Sequence, residues 1–241
     1  MVSGESLPKV LELIARSVEA ELPEWRCSVM LSDEEGQHLH VAAAPSLPTT
    51  YSAAIDGMAI GEGIGSCGTA AARRQRVIVE NVFDNPLCAS YRDLARQGDF
   101  AACWSDPIIG ADGLLLGTFA AHNRSPTQPN ETELGFLTQA CQLAALIIAH
   151  QNRSQDLNRS LETFRGIFNS VSEALFIQAE DGTFLDVNSG AEQLACVPRS
   201  QLIGLSHAAF TQPGLTDVAT INQHIAVALA GTPQTFEVLV R

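Results

Sequence analysis

The most distinctive stretch of the sequence is rich in glycine: residues 61–71 read GEGIGSCGTAA. Three glycines occupy alternate positions at its start, which suits turns that need a positive φ. The small residues that follow favour a helix that can pack closely against a neighbouring element. We therefore predict a loop that enters a helix over residues 65–72, with Gly65 or Ser66 as the capping residue.

Short β-runs surround this helix and predict an antiparallel sheet of about five or six strands. Two runs precede the glycine-rich stretch and are joined by an Asp-Glu-Glu-Gly turn at residues 33–36. Three runs follow it, and an Ala-Asp-Gly turn at residues 111–113 joins the last two. An amphipathic helix that begins at Leu7 precedes the sheet. The predicted strands are residues 25–31, 38–44, 76–80, 101–109 and 114–122, and a short helix over 91–97 covers one face.

This order of elements resembles the GAF domain, in the version found in bacterial signalling proteins. The resemblance rests on the glycine-rich loop and its helix, an Asp-x-Pro loop at Asp84, and the runs ACWSDPI at 102–108 and LLLGTFA at 114–120. It implies an α+β fold in which helices flank a central antiparallel sheet. We therefore assign residues 1–150 to a GAF sensor domain and expect a ligand-sensing module, not an enzyme.

The resemblance also places a set of side chains between the sheet and the helices, where a GAF ligand would lie. A pocket lined by aromatic rings and a few polar groups suits a small planar or polar ligand. The same residues equally suit turns and core packing, so it stays open whether a ligand binds. The ligand-binding candidates are Ser66, Cys67, Asp84, Tyr91, Trp104, Phe119 and His122.

The binding motifs for cyclic nucleotides, bilins and flavins are absent from this sequence, and the cofactor is unknown. The signature of cyclic-nucleotide GAF domains is absent, because Phe136 is followed by Leu-Thr-Gln-Ala and not by an acidic pair. The sequence has no Cys-His pair for a bilin and no Asn-Cys-Arg-Phe-Leu-Gln stretch for a flavin. His207 is the best candidate for an axial ligand to haem.

Cysteines offer a different chemistry, and Cys67, Cys88 and Cys103 are the redox candidates. With His122 they surround one expected pocket, but their spacing does not require a metal and we predict none. The sequence around Cys67 also resembles free-methionine-(R)-sulfoxide reductases of the GAF fold, which implies a resolving role for Cys67 and an attacking role for Cys88. The residues that flank the attacking cysteine in that family are missing here. This thiol enzyme, and a ligand-free dimerisation platform, are the alternatives.

The pattern becomes helical at Glu131 and stays so for about forty residues, with Asn130 as N-cap. Apolar residues then recur with alternating spacings of four and three, which is the seam along which two helices supercoil. We predict a parallel homodimer through this helix and assign residues 151–166 to its continuation as a linking helix. A solvated single helix that bridges two domains is the other interpretation. The predicted dimer seam is Leu143, Ile147, Leu157, Leu161, Phe164 and Phe168.

Residues 167–241 resemble the first part of a PAS domain. A hairpin around an Asp-Gly turn at residues 181–182 is followed by Asn188-x-x-Ala-Glu-x-Leu, as in that family. We expect a helix over residues 220–231 and a strand over 235–241, after which a PAS sheet has two more strands. We therefore interpret this region as a truncated PAS domain from a longer protein.

Charge and composition exclude several partners. The 241 residues carry a net charge of −13, whereas phosphate binding needs clustered Lys and Arg, so we expect neither nucleic-acid nor membrane partners. The longest apolar run, residues 143–149, is too short to span a bilayer. No signal peptide is visible, and six scattered cysteines indicate reduced thiols. We predict a cytoplasmic location.

Together these features predict the sensory input module of a bacterial signal-transduction protein. A small ligand or a redox state in the GAF domain would be relayed through a dimeric helix to the PAS domain and an output domain. By resemblance, that output is a diguanylate cyclase or phosphodiesterase of cyclic-di-GMP turnover, or a histidine kinase.

Overall fold

The computed structural model describes residues 6–206 and 218–235. The chain divides into two compact units, Met1–Ser154 and Gln155–Arg241, which we call unit 1 and unit 2. A long helix begins in unit 1 and ends in unit 2.

Unit 1 is built on an antiparallel sheet, as the sequence predicts. Its strand order is β3-β2-β1-β6-β5-β4, so β1 and β6 form the centre. The predicted turn at residues 33–36 joins β1 to β2, and the turn at residues 111–113 joins β5 to β6. The strands are β1 (Trp25–Ser32), β2 (His38–Ala43), β3 (Met58–Ala59), β4 (Val77–Val79), β5 (Ala102–Ile109) and β6 (Leu115–Asn123).

Helices cover both faces of this sheet. The glycine-rich loop leads into a helix that begins at Gly65 with Ile64 at the N-cap, so Ser66 lies inside the helix and does not cap it. The short helix expected over residues 91–97 is preceded by a 3₁₀ helix, Pro86–Tyr91. The helices are α1 (Leu7–Glu21), α2 (Thr49–Ile55), α3 (Gly65–Arg73), α4 (Arg92–Gly98) and α5 (Glu131–Ser170).

The two faces carry separate apolar cores, because successive side chains of a strand point to opposite sides. On one face, α1 and α5 pack against strand residues that include Trp104 and Phe119. On the other face, α2, α3 and α4 pack against strand residues that include Met30 and Cys103. A small cavity lies within this second core.

The start of α5 is fixed by a reciprocal cap. The Asn130 side chain accepts a hydrogen bond from the Glu133 backbone N–H at 3.0 Å, and the Glu133 carboxylate accepts one from the Asn130 N–H at 2.8 Å. Glu133 also accepts a hydrogen bond from Trp25 Nε1 at 3.0 Å. The predicted N-cap is therefore confirmed, and the first turn of α5 is tied to β1.

Helix α5 departs from the sequence expectation in its hydropathy. It contains an 18-residue window of mean hydropathy 1.4, which has the length and composition of a membrane span, although 28% of that window is buried in the structure. Polar residues interrupt this window, so the longest unbroken apolar run does not reveal it. The core helix of a water-soluble protein passes the same test, and Leu137, Cys141 and Ile148 of α5 are buried in the core of unit 1.

Unit 2 contains the expected hairpin, formed by β7 (Phe176–Gln178) and β8 (Phe184–Val187). A small core of Phe184, Val187, Ala191 and Leu202 lies beside it. The helices are α6 (Ser189–Ala195), α7 (Arg199–Leu202) and α8 (Val218–Leu229), and α8 corresponds to the helix expected over residues 220–231. His207 and nearly all of the strand expected over 235–241 lie outside the described residues.

Candidate functional site

A small cavity lies between the sheet and helices α2, α3 and α4. Its volume is about 30 Å³, which holds one or two water molecules. Drug-sized ligands need roughly 300 Å³ or more, so this cavity, in this conformation, has no room for a nucleotide, a bilin or a haem. The lining residues are Tyr51, Ile55, Met58, Gly65, Ser66, Cys67, Val82, Cys88, Tyr91, Ala95, Phe100, Cys103 and His122.

Close packing of α3 brings polar side chains to the cavity wall. A Cβ atom on Gly68 would lie 2.7 Å from the Ala59 carbonyl oxygen, so only glycine lets the helix approach this closely. Ser66 then accepts hydrogen bonds from the Cys103 thiol at 3.2 Å and from the Ser105 hydroxyl at 2.9 Å. The Cys67 sulfur lies 3.2 Å from the same Ser105 hydroxyl. Helix α3 and strand β5 are therefore linked by a buried network of hydroxyls and thiols.

His122 is a buried and strongly perturbed group that lines the cavity. Its Nε2 is hydrogen-bonded to the Ser28 hydroxyl at 3.2 Å, and the rings of Phe100 and Tyr51 pack around it. Burial lowers the pKa of His122 to about 3, and the nearby Arg26 charge adds to this shift, so the imidazole is neutral at physiological pH. Its Nδ1 is buried and has no hydrogen-bond partner among the residues that the structure describes.

The three predicted redox cysteines all line this cavity, and they differ in acidity. A hydrogen bond with Cys103 lowers the pKa of the Cys88 thiol, and the Arg92 charge lowers it further against the opposing effect of burial. The pKa of Cys103 is raised, first by this same hydrogen bond and then by burial. Burial also raises the pKa of Cys67. Cys88 is therefore the thiol of this group that ionises most readily.

The structure brings together most of the predicted ligand-binding residues. Ser66, Cys67, Tyr91 and His122 line the cavity. Asp84 does not: it is exposed in the turn before the 3₁₀ helix, where Asn81 donates a hydrogen bond to it.

Trp104 and Phe119 also lie elsewhere, and their predicted place at the cavity is wrong. Both belong to the core on the opposite face of the sheet, under α1 and α5. Trp104 follows Cys103 directly in β5, so these neighbours must point to opposite faces. The Trp104 ring packs against Trp25, with ring centroids 3.7 Å apart.

Several residues of the site were not predicted from the sequence. Tyr51 and Phe100 supply the aromatic wall, and Ser28 and Ser105 hold His122 and the thiols. Ser28 and Ser105 lie in strands whose other residues are mostly apolar, and polar residues at inward positions are the signal that could have indicated them.

A second cleft, of about 330 Å³, lies between β5 and α5. The buried Asp106 carboxylate is paired with the Arg76 guanidinium through two hydrogen bonds, and Arg76 also donates to the Thr138 hydroxyl at 2.8 Å. These polar groups satisfy one another, which is typical of a structural ion pair. Among the described residues, no group of three or more His, Cys, Asp or Glu is arranged to hold a metal ion.

The predicted dimer seam changes character along α5. Ile147 packs partly against the core of unit 1, and Leu143 is largely exposed. Farther along, Leu157, Leu161 and Phe164 are 62%, 48% and 46% exposed. In this single chain the second half of α5 therefore presents large apolar side chains to solvent.

The fold and the cavity define a GAF domain. The sequence profile of the GAF domain matches residues 4–149, which is more than half of the chain, and the chain therefore belongs to this family. The structure is similar to a GAF domain of a phosphoenolpyruvate-protein phosphotransferase from Coxiella burnetii, with a TM-score of 0.54 and 19% identity over 64% of this chain and 89% of that one. It is also similar to a domain assigned to a two-component sensor histidine kinase of Sinorhizobium meliloti 1021, with a TM-score of 0.53 and 22% identity over 65% of this chain and 99% of that one.

A curated relative adds a functional context. The chain is 38% identical, over 189 residues, to the methyl sulfide methyltransferase-associated sensor of Methanosarcina acetivorans. The match covers 78% of this chain and 19% of the relative, so the chain spans about a fifth of that protein. Because 189 matched residues exceed the length of the family match, which ends at residue 149, the similarity continues beyond the GAF domain. The relative is named a sensor.

Proposed function

We propose that this chain is the sensory part of a signal-transduction protein, in which the GAF domain detects a water-sized molecule or the redox state of its thiols. The observation that carries the proposal is the continuity of α5. This helix is part of the core of the GAF domain through Leu137 to Ile148 and continues unbroken to Ser170. The relative of this chain from Methanosarcina acetivorans is named a sensor, which supports the same role.

The route from the cavity to α5 crosses the sheet. Cys103 lines the cavity, and its neighbour Trp104 packs on Trp25 on the other face. Trp25 in turn donates a hydrogen bond to Glu133 in the first turn of α5. A change at Cys103 that shifts β5 would therefore reach the start of α5 through contacts between rigid elements.

The second half of α5 supports a homodimer. Leu157, Leu161 and Phe164 belong to the heptad seam and expose their apolar side chains in the single chain. Pairing two such helices would bury this stripe, whereas polar residues on the remaining faces would stay in water. We propose that the signal changes the packing of these paired helices.

We further propose that unit 2 is the first part of a PAS domain and that an output domain follows it in the complete protein. The hairpin of β7 and β8 followed by α6 matches the order expected for that domain. The relative is about five times longer than the matched region, which leaves room for output domains, such as a histidine kinase or an enzyme of cyclic-di-GMP turnover. We propose a cytoplasmic location, on the basis of the reduced cysteines and the strongly acidic composition.

The cavity also bears on the two alternatives. Free methionine sulfoxide has ten non-hydrogen atoms and does not fit into about 30 Å³, so the size of the cavity argues against the reductase. A ligand-free dimerisation platform would share the helix pairing but would not respond at the cavity.

Sedimentation velocity of the full chain tests the dimer. We expect the double variant Leu157→Asp/Leu161→Asp to shift the protein from dimer to monomer, because it places four carboxylates in the paired seam. The control is Gln155→Asp/Thr163→Asp, which adds the same charge to exposed positions on the side of the helix away from the seam and should leave the dimer intact. A wild-type monomer, or an unchanged mass for the seam variant, would contradict the proposed pairing.

A further inference from the structure

We propose that Cys88 and Cys103 form a site that reacts with hydrogen peroxide and closes a disulfide inside the cavity of the GAF domain. This inference deepens the proposed function and rests on it, because it names the molecule to which the cavity would respond. It requires that the two thiols be adjacent, that the cavity admit peroxide, and that a polar group hold the peroxide in place.

The geometry meets the first two requirements. Both thiols line the same cavity, and each is the largest cause of the other's pKa shift. The volume of about 30 Å³ accommodates a molecule slightly larger than water, and hydrogen peroxide is such a molecule. Bulky organic hydroperoxides do not fit, so the cavity selects by size.

Unused hydrogen-bonding capacity meets the third requirement. His122 Nδ1 is buried beside the cavity and lacks a partner among the described residues. Because this imidazole is neutral, Nδ1 either donates or accepts, depending on the tautomer set by its bond to Ser28. Peroxide carries both O–H donors and oxygen acceptors and can satisfy either tautomer.

The chemistry proceeds in two steps. The Cys88 thiolate attacks one peroxide oxygen, the O–O bond breaks, and the leaving oxygen takes up a proton and departs as water. Cys88 is then a sulfenic acid. The Cys103 sulfur loses its proton and attacks the Cys88 sulfur, the S–O bond breaks, and the released hydroxide takes up a proton as a second water. Two thiols are oxidised to one disulfide, and one peroxide is reduced to two waters.

Cys88 is the better attacking thiol, because only the thiolate is nucleophilic and its pKa is lowered. Cys67 also lines the cavity, but burial is the main cause of its raised pKa and Cys88 contributes least, whereas Cys103 is the largest cause of the Cys88 shift, so Cys103 is the partner of Cys88. Cys196 is exposed and lies in unit 2, where it serves as an internal reference for a solvent-accessible thiol.

Peptide mapping of the full-length chain tests the site. After treatment with hydrogen peroxide, blocking of free thiols and trypsin digestion without reductant, we expect one cross-linked pair that joins residues 77–92 to residues 97–124. Each peptide contains a single cysteine, so the cross-link identifies Cys88 and Cys103. The variant Cys67→Ser should give the same cross-link, whereas Cys103→Ser should stop at a Cys88 sulfenic acid that dimedone traps.

Rates provide a second readout that does not depend on a variant folding. In the wild type, we expect Cys88 to be oxidised by hydrogen peroxide at least about fivefold faster than Cys196, because a lowered pKa raises its thiolate fraction. With tert-butyl hydroperoxide, we expect Cys88 to be oxidised no faster than Cys196, because this peroxide is too large to enter the cavity. Oxidation confined to Cys196, a cross-link to a different cysteine, or equal Cys88 rates with both peroxides would overturn the inference.

The two proposals fail in different ways. Hydrogen exchange in α5 is measured on the same samples before and after oxidation. A Cys88–Cys103 disulfide with unchanged exchange in α5 would keep the peroxide site and remove the relay. No disulfide, together with a dimer that the Leu157→Asp/Leu161→Asp variant splits, would remove the peroxide site and keep the dimeric helix.

Discussion

His122 shows how one buried side chain can make the stability of the GAF domain depend on pH. Its pKa is lowered to about 3 in the folded chain, whereas an unfolded chain protonates histidine near pH 6.5. Below pH 6.5 the unfolded state therefore binds more protons, and stability is lost as the pH falls towards 3. The loss is at most about 1.4 kcal/mol per pH unit.

We therefore expect His122 to contribute a loss of about 2 kcal/mol in the free energy of unfolding between pH 7 and pH 5. Urea unfolding at both pH values measures it, with His122→Gln as the test and His150→Gln, at an exposed position, as the control. The His122→Gln variant should lack this part of the pH dependence. If both variants keep the wild-type pH dependence, the imidazole is not neutral in the folded state.

Some of the residues of the site could be predicted from the sequence, and others could not. Ser66, Cys67 and His122 were found because the resemblance to GAF domains fixes their elements. The strands that contain Trp104 and Phe119 were predicted correctly, but the face of the sheet to which these two side chains point was not. Phe119 and His122 are three positions apart in one strand, an odd number, so they cannot share a face. Applying this period of two to β5 and β6 would have removed both errors.

At the scale of elements, Asn188 joins the end of α5 to the start of α6. It is fully buried, its Nδ2 lies within 3.1 Å of the carbonyl oxygens of Phe168, Val171 and Glu173, and its Oδ1 accepts from Leu175 and Ala191. A Cβ atom on Gly190 would lie 2.6 Å from the Glu173 oxygen, so the two segments are in close contact. We call these contacts the Asn188 clamp.

We expect Asn188→Asp to destabilise unit 2 by about 3 kcal/mol, because a carboxylate would face three carbonyl oxygens that have lost their donor. Hydrogen exchange should then rise across β8 and α6 and stay unchanged in the strands of unit 1, which provide an internal reference. Asn158→Asp makes the same chemical change at an exposed position of α5 and should have little effect. Unchanged exchange in Asn188→Asp would show that the clamp does not hold unit 2 together.

Elements with a strong local pattern were predicted well, and those that depend on long-range contacts were not. The turns and the N-cap of α5 carry their own signals in Gly, Asp and Asn. The 3₁₀ helix Pro86–Tyr91 is too short to show an apolar period, and its only local signal is the start formed by the Asn85 cap and Pro86. The clamp was not predicted, because Asn188 carries the local signal of an N-cap of α6, whereas its bonds to the end of α5 and to the segment that follows span 15 to 20 residues.

At the scale of the whole molecule, the division at Ser154 makes a prediction about assembly. A chain of residues 1–154 keeps the buried part of α5 but lacks Leu157, Leu161 and Phe164. We expect it to fold cooperatively and to be monomeric at concentrations where the full chain is dimeric. Mass photometry of both proteins, with circular dichroism to confirm folding, measures this. A stable dimer of the shorter chain would instead place the interface on the GAF domain itself.

The continuity of α5 has a consequence for how such proteins can vary in length. At 1.5 Å per residue, its 40 residues extend over about 60 Å. Each residue inserted in the exposed half would turn everything beyond it by about 100° around the helix axis, whereas seven inserted residues would return it to within about 20° of its original azimuth. In the exposed half of α5, the rotation about the helix axis is therefore more tightly constrained than the length of the helix. Tolerated differences in its length should come in multiples of seven.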